Sequence, residues 1–132
     1  MPALHALDPA ECERLLRRGS FGRLVVSTPD GPEIFPVNYA VQGDEIVVRT
    51  APAGAIARHG RDAEVLFEID QVDQEYWSGW SVVARGRGEL VSDPSDDVPA
   101  GRRVRSWVDE DRDSELRVVW RELTGRRVGG AR

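Results

Sequence analysis

The chain has 132 residues, 40% of them hydrophobic and 31% charged, with a formal net charge of −5 and a pI near 5.1. That length fits one domain able to bury roughly two-thirds of its unfolded surface. The acidic balance excludes a general attraction to nucleic acid or to an anionic membrane surface.

The first predicted element is a helix over residues 8–18. Asp8 is a good N-cap, Pro9 fits the first helical position, and Glu11 stands where a capping box needs it. Leu7, Leu15 and Leu16 supply a packed face, and Gly19 stops the helix. The run FGRLVVST follows as a strand that ends in the turn PDG. EIFPVNYAV alternates cleanly, with Phe35, Val37, Tyr39 and Val41 on one face and Ile34, Pro36, Asn38 and Ala40 on the other. The turn QGDE joins it to EIVVRT, and the two runs are expected to pair as a hairpin.

A Pro/Gly/Ala corner and a short helix from about Gly54 to His59 come next, then AEVLFEID as a strand and QVDQEYWS as a loop. GWSVVARGRGELV reads as a long strand with Trp80, Val82, Ala84, Gly86, Gly88 and Leu90 on one face. Gly86 and Gly88 imply bending or close backbone approach there. An acidic linker over residues 93–100 precedes a short helix around residues 102–108, SELRVVWREL is the last strand, and residues 124–132 are expected to be a C-terminal tail. Strands at short regular spacing, joined mostly by hairpin-length turns, favour an antiparallel barrel over a parallel sheet.

Chemistry-bearing residues do not assemble into a catalytic signature. The single Cys12 lies in the helical pattern beside Leu15 and Leu16, which describes an inert, partly buried thiol and excludes an internal disulfide. His5 and His59 have no second histidine at ligand spacing, so no metal site is expected. The serines lack a glycine elbow, and the acidic clusters around Asp96 and Asp111 read as solvated surface. No secretory leader or apolar span follows Met1, so the expected location is cytoplasmic. If chemistry occurs, a bound cofactor carries it.

One stretch offers an anion site. IVVRTAPAGAIARHG ends a strand in Arg49 and Thr50 and turns into a helix start, yet its corner from Ala51 to Ala55 has no side-chain donor. All 18 basic residues besides histidine are arginine, so an anion here must be held by arginine or by backbone N–H groups.

The ordered runs FGRLVVST, IFPVNYAV, IVVRTAP, VLFEID, GWSVVARGRGELV and TGRR resemble the pyridoxamine 5′-phosphate oxidase-like flavoproteins, in particular a short actinobacterial-type branch. The resemblance covers about Glu11 to Arg127 and implies a mostly β fold: a six-stranded antiparallel split β-barrel of Greek-key type with two or three short helices, in one domain over residues 1–132. It further implies a homodimer with flavin mononucleotide (FMN) at the interface and a small-molecule substrate, with neither nucleic acid nor membrane as partner. Pro36, Val37 and Asn38 match positions beside the flavin ring. Arg49 and Thr50 match the strand end that reaches the phosphate, with Gly54 and Arg58 on the corner and helix that follow. Trp80 and Ser81 match positions near the ring, and Trp107 and Arg117 match weaker C-terminal contributors.

The chain departs from the family's pattern at Ala55, where a lysine is usual. Loss of one charge-assisted hydrogen bond costs roughly 1.5–3 kcal/mol, about ten- to a hundredfold in affinity. Arg58, one turn along the same helix face, and Arg49 can together clamp a phosphate in its place. The resemblance therefore implies weakened FMN binding and a flavin-dependent oxidoreductase. Two alternatives stand beside it: a non-catalytic binder or sensor of flavin, haem or another planar ligand, and a deazaflavin-dependent reductase. The terminal TGRRVGGAR lacks the basic substrate-phosphate motif of the true vitamin B6 oxidases.

Overall fold

The computed structural model describes residues 4–92 and 114–129. Their elements are β1 (Leu4–Ala6), α1 (Pro9–Arg18), β2 (Phe21–Thr28), β3 (Gly31–Asn38), β4 (Ala40–Gln42), β5 (Glu45–Thr50), α2 (Ala55–Gly60), β6 (Glu64–Asp73), β7 (Ser78–Ser92) and β8 (Ser114–Val128). The acidic linker, the helix expected around residues 102–108 and Trp107 all lie outside the described residues.

The sheet is antiparallel, with eight strands rather than six, in the order β3-β2-β6-β7-β8-β5-β4; β1 adds to the far end of β8. The two strands that end this path, β3 and β4, are consecutive in the chain and are separated only by Tyr39. The sheet thus curls until its edges meet, which is the split-barrel architecture expected from the sequence.

Tyr39 accounts for one correction. IFPVNYAV does not pair as a unit with EIVVRT. Its first part forms a hairpin with β2, from Thr28 opposite Gly31 to Phe21 opposite Asn38. Only Ala40–Gln42 pairs with β5. The break falls at Tyr39, which is buried: its ring meets Phe67 edge-on at 4.7 Å, and its hydroxyl donates to the Leu16 carbonyl at 2.6 Å. Burial also holds that hydroxyl above its ordinary pKa, so it remains a donor. The anchoring carbonyl lies in the last turn of α1, whose own N-terminus is capped as expected by Asp8 accepting from the Glu11 N–H at 2.8 Å.

Two boundaries also moved. β6 continues to Asp73, so the expected loop QVDQEYWS contracts to the turn between β6 and β7. β8 continues to Val128, where Gly79 and Leu4 both pair with it, so most of the expected tail is sheet. In both cases strand pairing overrides a local composition rich in polar residues.

The core lies inside the curl. Phe67, Leu24, Val26, Val82, Ala84, Leu116, Val118, Ile46 and Val48 are buried there, and Leu16 and Cys12 of α1 close one side. The inward face predicted for β7 is correct through Gly88. A Cβ on Gly86 would overlap the Val119 carbonyl, and a bulge falls between Arg85 and Gly86. A Cβ on Gly88 would overlap the Gly60 carbonyl. That close approach ties the end of α2 to β7, with Gly88 N–H bonded to Ala63 O and Asp62 N–H to Gly88 O, both at 2.8 Å. No described helix is long and apolar enough to cross a membrane.

Candidate functional site

The sequence-predicted residues fall into two groups. The first gathers at the seam of the barrel. Ala40 pairs with Val47, so the end of β3, with Pro36, Val37 and Asn38, lies beside the last residues of β5, Arg49 and Thr50. Pro36 is exposed and registers opposite Arg23, on the outward face of β2 and β3; Val37 turns inward against the core. Proline is accepted here because β3 ends the hydrogen-bonded path. Asn38 Nδ2 donates to the Ser20 carbonyl at 3.4 Å.

Thr50 is buried opposite Ser114, whose hydroxyl is also buried with no hydrogen-bond partner among the described residues. α2 starts after Gly54, which has no side-chain cap, and Arg58 on that helix is exposed. The corner therefore combines a half-buried arginine, two buried hydroxyls and an exposed arginine, a donor set that suits an anion. Arg117 belongs elsewhere in the network: Glu45 holds it at 3.4 Å and Glu115 at 3.1 Å.

The second group surrounds a cavity of about 780 Å³ at the β6–β7 end of the sheet. Trp80 and Ser81 line it, and Trp80 also borders a smaller cavity of about 260 Å³ under the end of α1. By register, Ser81 pairs with Asp70 on one side and Arg126 on the other, all on the outward face. The same face continues across β2 and β3 through Arg23 to Pro36.

Sequence reasoning missed the carboxyl side of this cavity. Glu68 and Asp70 sit two apart on β6, so strand alternation puts both on the outward face. Arg23 Nη1 bridges them at 3.3 and 3.0 Å. Partial burial, together with Asp70 alongside, pushes the Glu68 carboxyl up to about 7, with Arg23 opposing the rise. The signal was present as the E-x-D spacing in VLFEID, but only the sheet register brings Arg23 and Ser81 to it.

Trp77 was also missed. It stands in the β6–β7 turn, 77% exposed, and lines the cavity. Asp73 Oδ1 accepts from the N–H groups of Glu75 and Tyr76 at 3.1 and 3.2 Å, which fixes the turn. Trp77 itself has φ +52, a left-handed conformation uncommon for a bulky residue. Among the described residues, no group of His, Cys, Asp and Glu is arranged to hold a metal ion.

A curled antiparallel barrel with a basic corner at its seam and a cavity at the β6–β7 end of its sheet defines a split barrel. The chain belongs to the pyridoxamine 5′-phosphate oxidase family, whose sequence model matches residues 8–127. It is 33% identical over 127 residues to an uncharacterized protein of Mycobacterium tuberculosis, covering 92% of this chain and 84% of that one. Among solved structures it is similar to the FAD binding protein from Mycobacterium smegmatis, with 30% identity, a TM-score of 0.71, and coverage of 95% of this chain and 98% of that one. A conserved protein of unknown function from Corynebacterium diphtheriae matches at 29% identity and a TM-score of 0.73, covering 95% and 98% of the two chains.

Proposed function

We propose that this protein binds FMN between two copies of the chain and is a flavin-dependent oxidoreductase acting on a small molecule. The observation that carries this reading is the approach at the seam of the end of β3, with Pro36 and Asn38, to the end of β5, with Arg49 and Thr50. Family membership and the likeness to a FAD binding protein support a flavin as the ligand.

In this reading, Arg49 and Arg58 grip the phosphate, and the buried Ser114 hydroxyl gains an acceptor it lacks among the described residues. Pro36 leaves no N–H toward the ring, while Asn38 contacts its polar edge. When bound, the flavin supplies the hydride exchange. The chain's residues hold the ring flat against the barrel and keep water from one of its faces.

Spacing supports the second copy. Arg49 pairs with Glu115, and Glu115 with Val91. Ser81 lies about ten residues back along β7, roughly 33 Å of strand, and β2 and β6 stand between it and Asn38. The outward face between them carries Ile34, 65% exposed, with half-buried Val25, Leu66 and Val83. A second chain laid on that face covers the apolar strip and brings its own Ser81 to the flavin.

Titration of the purified protein with FMN, followed by visible absorbance, tests the reading alongside size measurement in solution. The expected result is a dimer with micromolar or tighter binding, weakened roughly ten- to a hundredfold in Arg49→Ala. A folded protein that takes up no flavin at high concentration refutes it. Reduction of the bound flavin by a nicotinamide donor, then reoxidation by a substrate, separates the enzyme from a silent carrier.

A further inference from the structure

The carboxyl side of the 780 Å³ cavity lies apart from the arginines that the flavin reading assigns to the phosphate. Its charges nonetheless form a definite set. Glu68 and Asp70 on β6 share the single guanidinium of Arg23 from β2. Asp73, after them on β6, and Arg126 on β8 complete the ionisable lining among the described residues. Glu68 is met from β7 by the apolar Val83. Taken together, these groups are neutral while Glu68 holds a proton and carry one net negative charge once it ionises. Burial and Asp70 bring that transition to about pH 7.

The rest of the lining is apolar or aromatic: Val72, Val128, Trp80 and the exposed ring of Trp77 on its braced turn. A tryptophan face and an ionisable carboxyl pair in one cavity suit a cation carried on a hydrophobic body. An anion would meet Asp70 and Asp73, and a neutral ligand would gain nothing from the charge that Glu68 can release.

We propose that this cavity binds a small organic ammonium ion between the Trp77 ring and the Glu68–Asp70 pair, taken up in exchange for a proton on Glu68. The exchange balances: Glu68 passes its proton to solvent and the incoming cation replaces it, with no change in the net charge of the occupied cavity. Only the further step, that this cation is the oxidoreductase's substrate, rests on the flavin reading.

A probe with permanent charge isolates the protein's own proton. Benzyltrimethylammonium is titrated calorimetrically into the full chain in buffers of different ionisation heat, with benzyl alcohol and benzenesulfonate as neutral and anionic controls. The cation is expected to bind about tenfold more tightly at about pH 8 than at about pH 6, releasing close to one proton at the lower value. Glu68→Gln is expected to flatten that profile and abolish proton release. Trp77→Ala, altering an exposed turn residue, is expected to weaken binding roughly two- to thirtyfold without unfolding the chain.

Equal binding of either control, a pH-independent wild type, a pH dependence that survives Glu68→Gln, or no binding by folded protein overturns the proposal. Flavin content is read independently by absorbance. Cation binding in a protein that takes up no flavin refutes the oxidoreductase reading and leaves this one standing; flavin uptake without cation binding does the reverse.

Discussion

The seam corner and the Trp80 cavity are built from opposite materials. At the corner, Arg49 and Arg58 flank a stretch of alanine, proline and glycine, and the buried hydroxyls of Thr50 and Ser114 stand behind it. At the cavity, acidic residues of β6 face tryptophans and valines. Both occur on one sheet, so the contrast is not one of fold. It arises from what each strand end must do: the corner closes a barrel and leaves the Arg58 side chain exposed, whereas the cavity is the open end of a long hairpin. A ligand with an anionic tail suits the first, and a cationic one suits the second.

The contrast breaks most completely where both regions depend on one backbone contact. Gly88→Ala forces a Cβ onto the Gly60 carbonyl, which joins α2 of the corner to β7 of the cavity. We expect a loss of about 3 kcal/mol, at the upper end of overpacking costs, read as a lower denaturation midpoint. A stability equal to wild type would mean that α2 is not anchored there.

Ala55→Lys sharpens the corner alone. Restoring a cation in the first turn of α2 is expected to tighten FMN binding by about 1.5–3 kcal/mol, roughly ten- to a hundredfold, with cation binding at the cavity unchanged. An unchanged FMN affinity would show that Arg58 already fills that role.

Glu68→Gln sharpens the cavity by its pH response. The Glu68 carboxyl is raised from 4.5 to about 7, so its contribution to folding is fully present below about pH 4.5 and is lost as pH rises through about 7. The wild type should therefore lose stability relative to Glu68→Gln across that window, measured by denaturant melts at several pH values. Parallel curves for the two proteins would place the raised pKa elsewhere.

Much of this was legible in the chain. The capped helix from Pro9, the alternation that faces Phe35 and Val37 inward, the close approach at Gly88 and the strand end at Thr50 are local properties, written in residue type and period. Where sequence reasoning slipped, a long-range contact was responsible. Tyr39 looked like one more alternating residue, and only the change of partner around it, from β2 to β5, divides one strand into two. The extension of β8 to Val128 depends on partners in β7 and β1 that no window of sequence contains.

The sequence by itself determined the family, the β character and the bare, arginine-flanked corner, because each rests on neighbours along the chain. Tertiary structure alone decided that Arg23, Glu68, Asp70 and Ser81 share one face, and that Trp77 lines the same cavity as Glu68, Asp70 and Ser81. Charges on different strands interact only after register brings them within a few ångströms, and a carboxyl changes its proton affinity only when burial and a like charge reach it together.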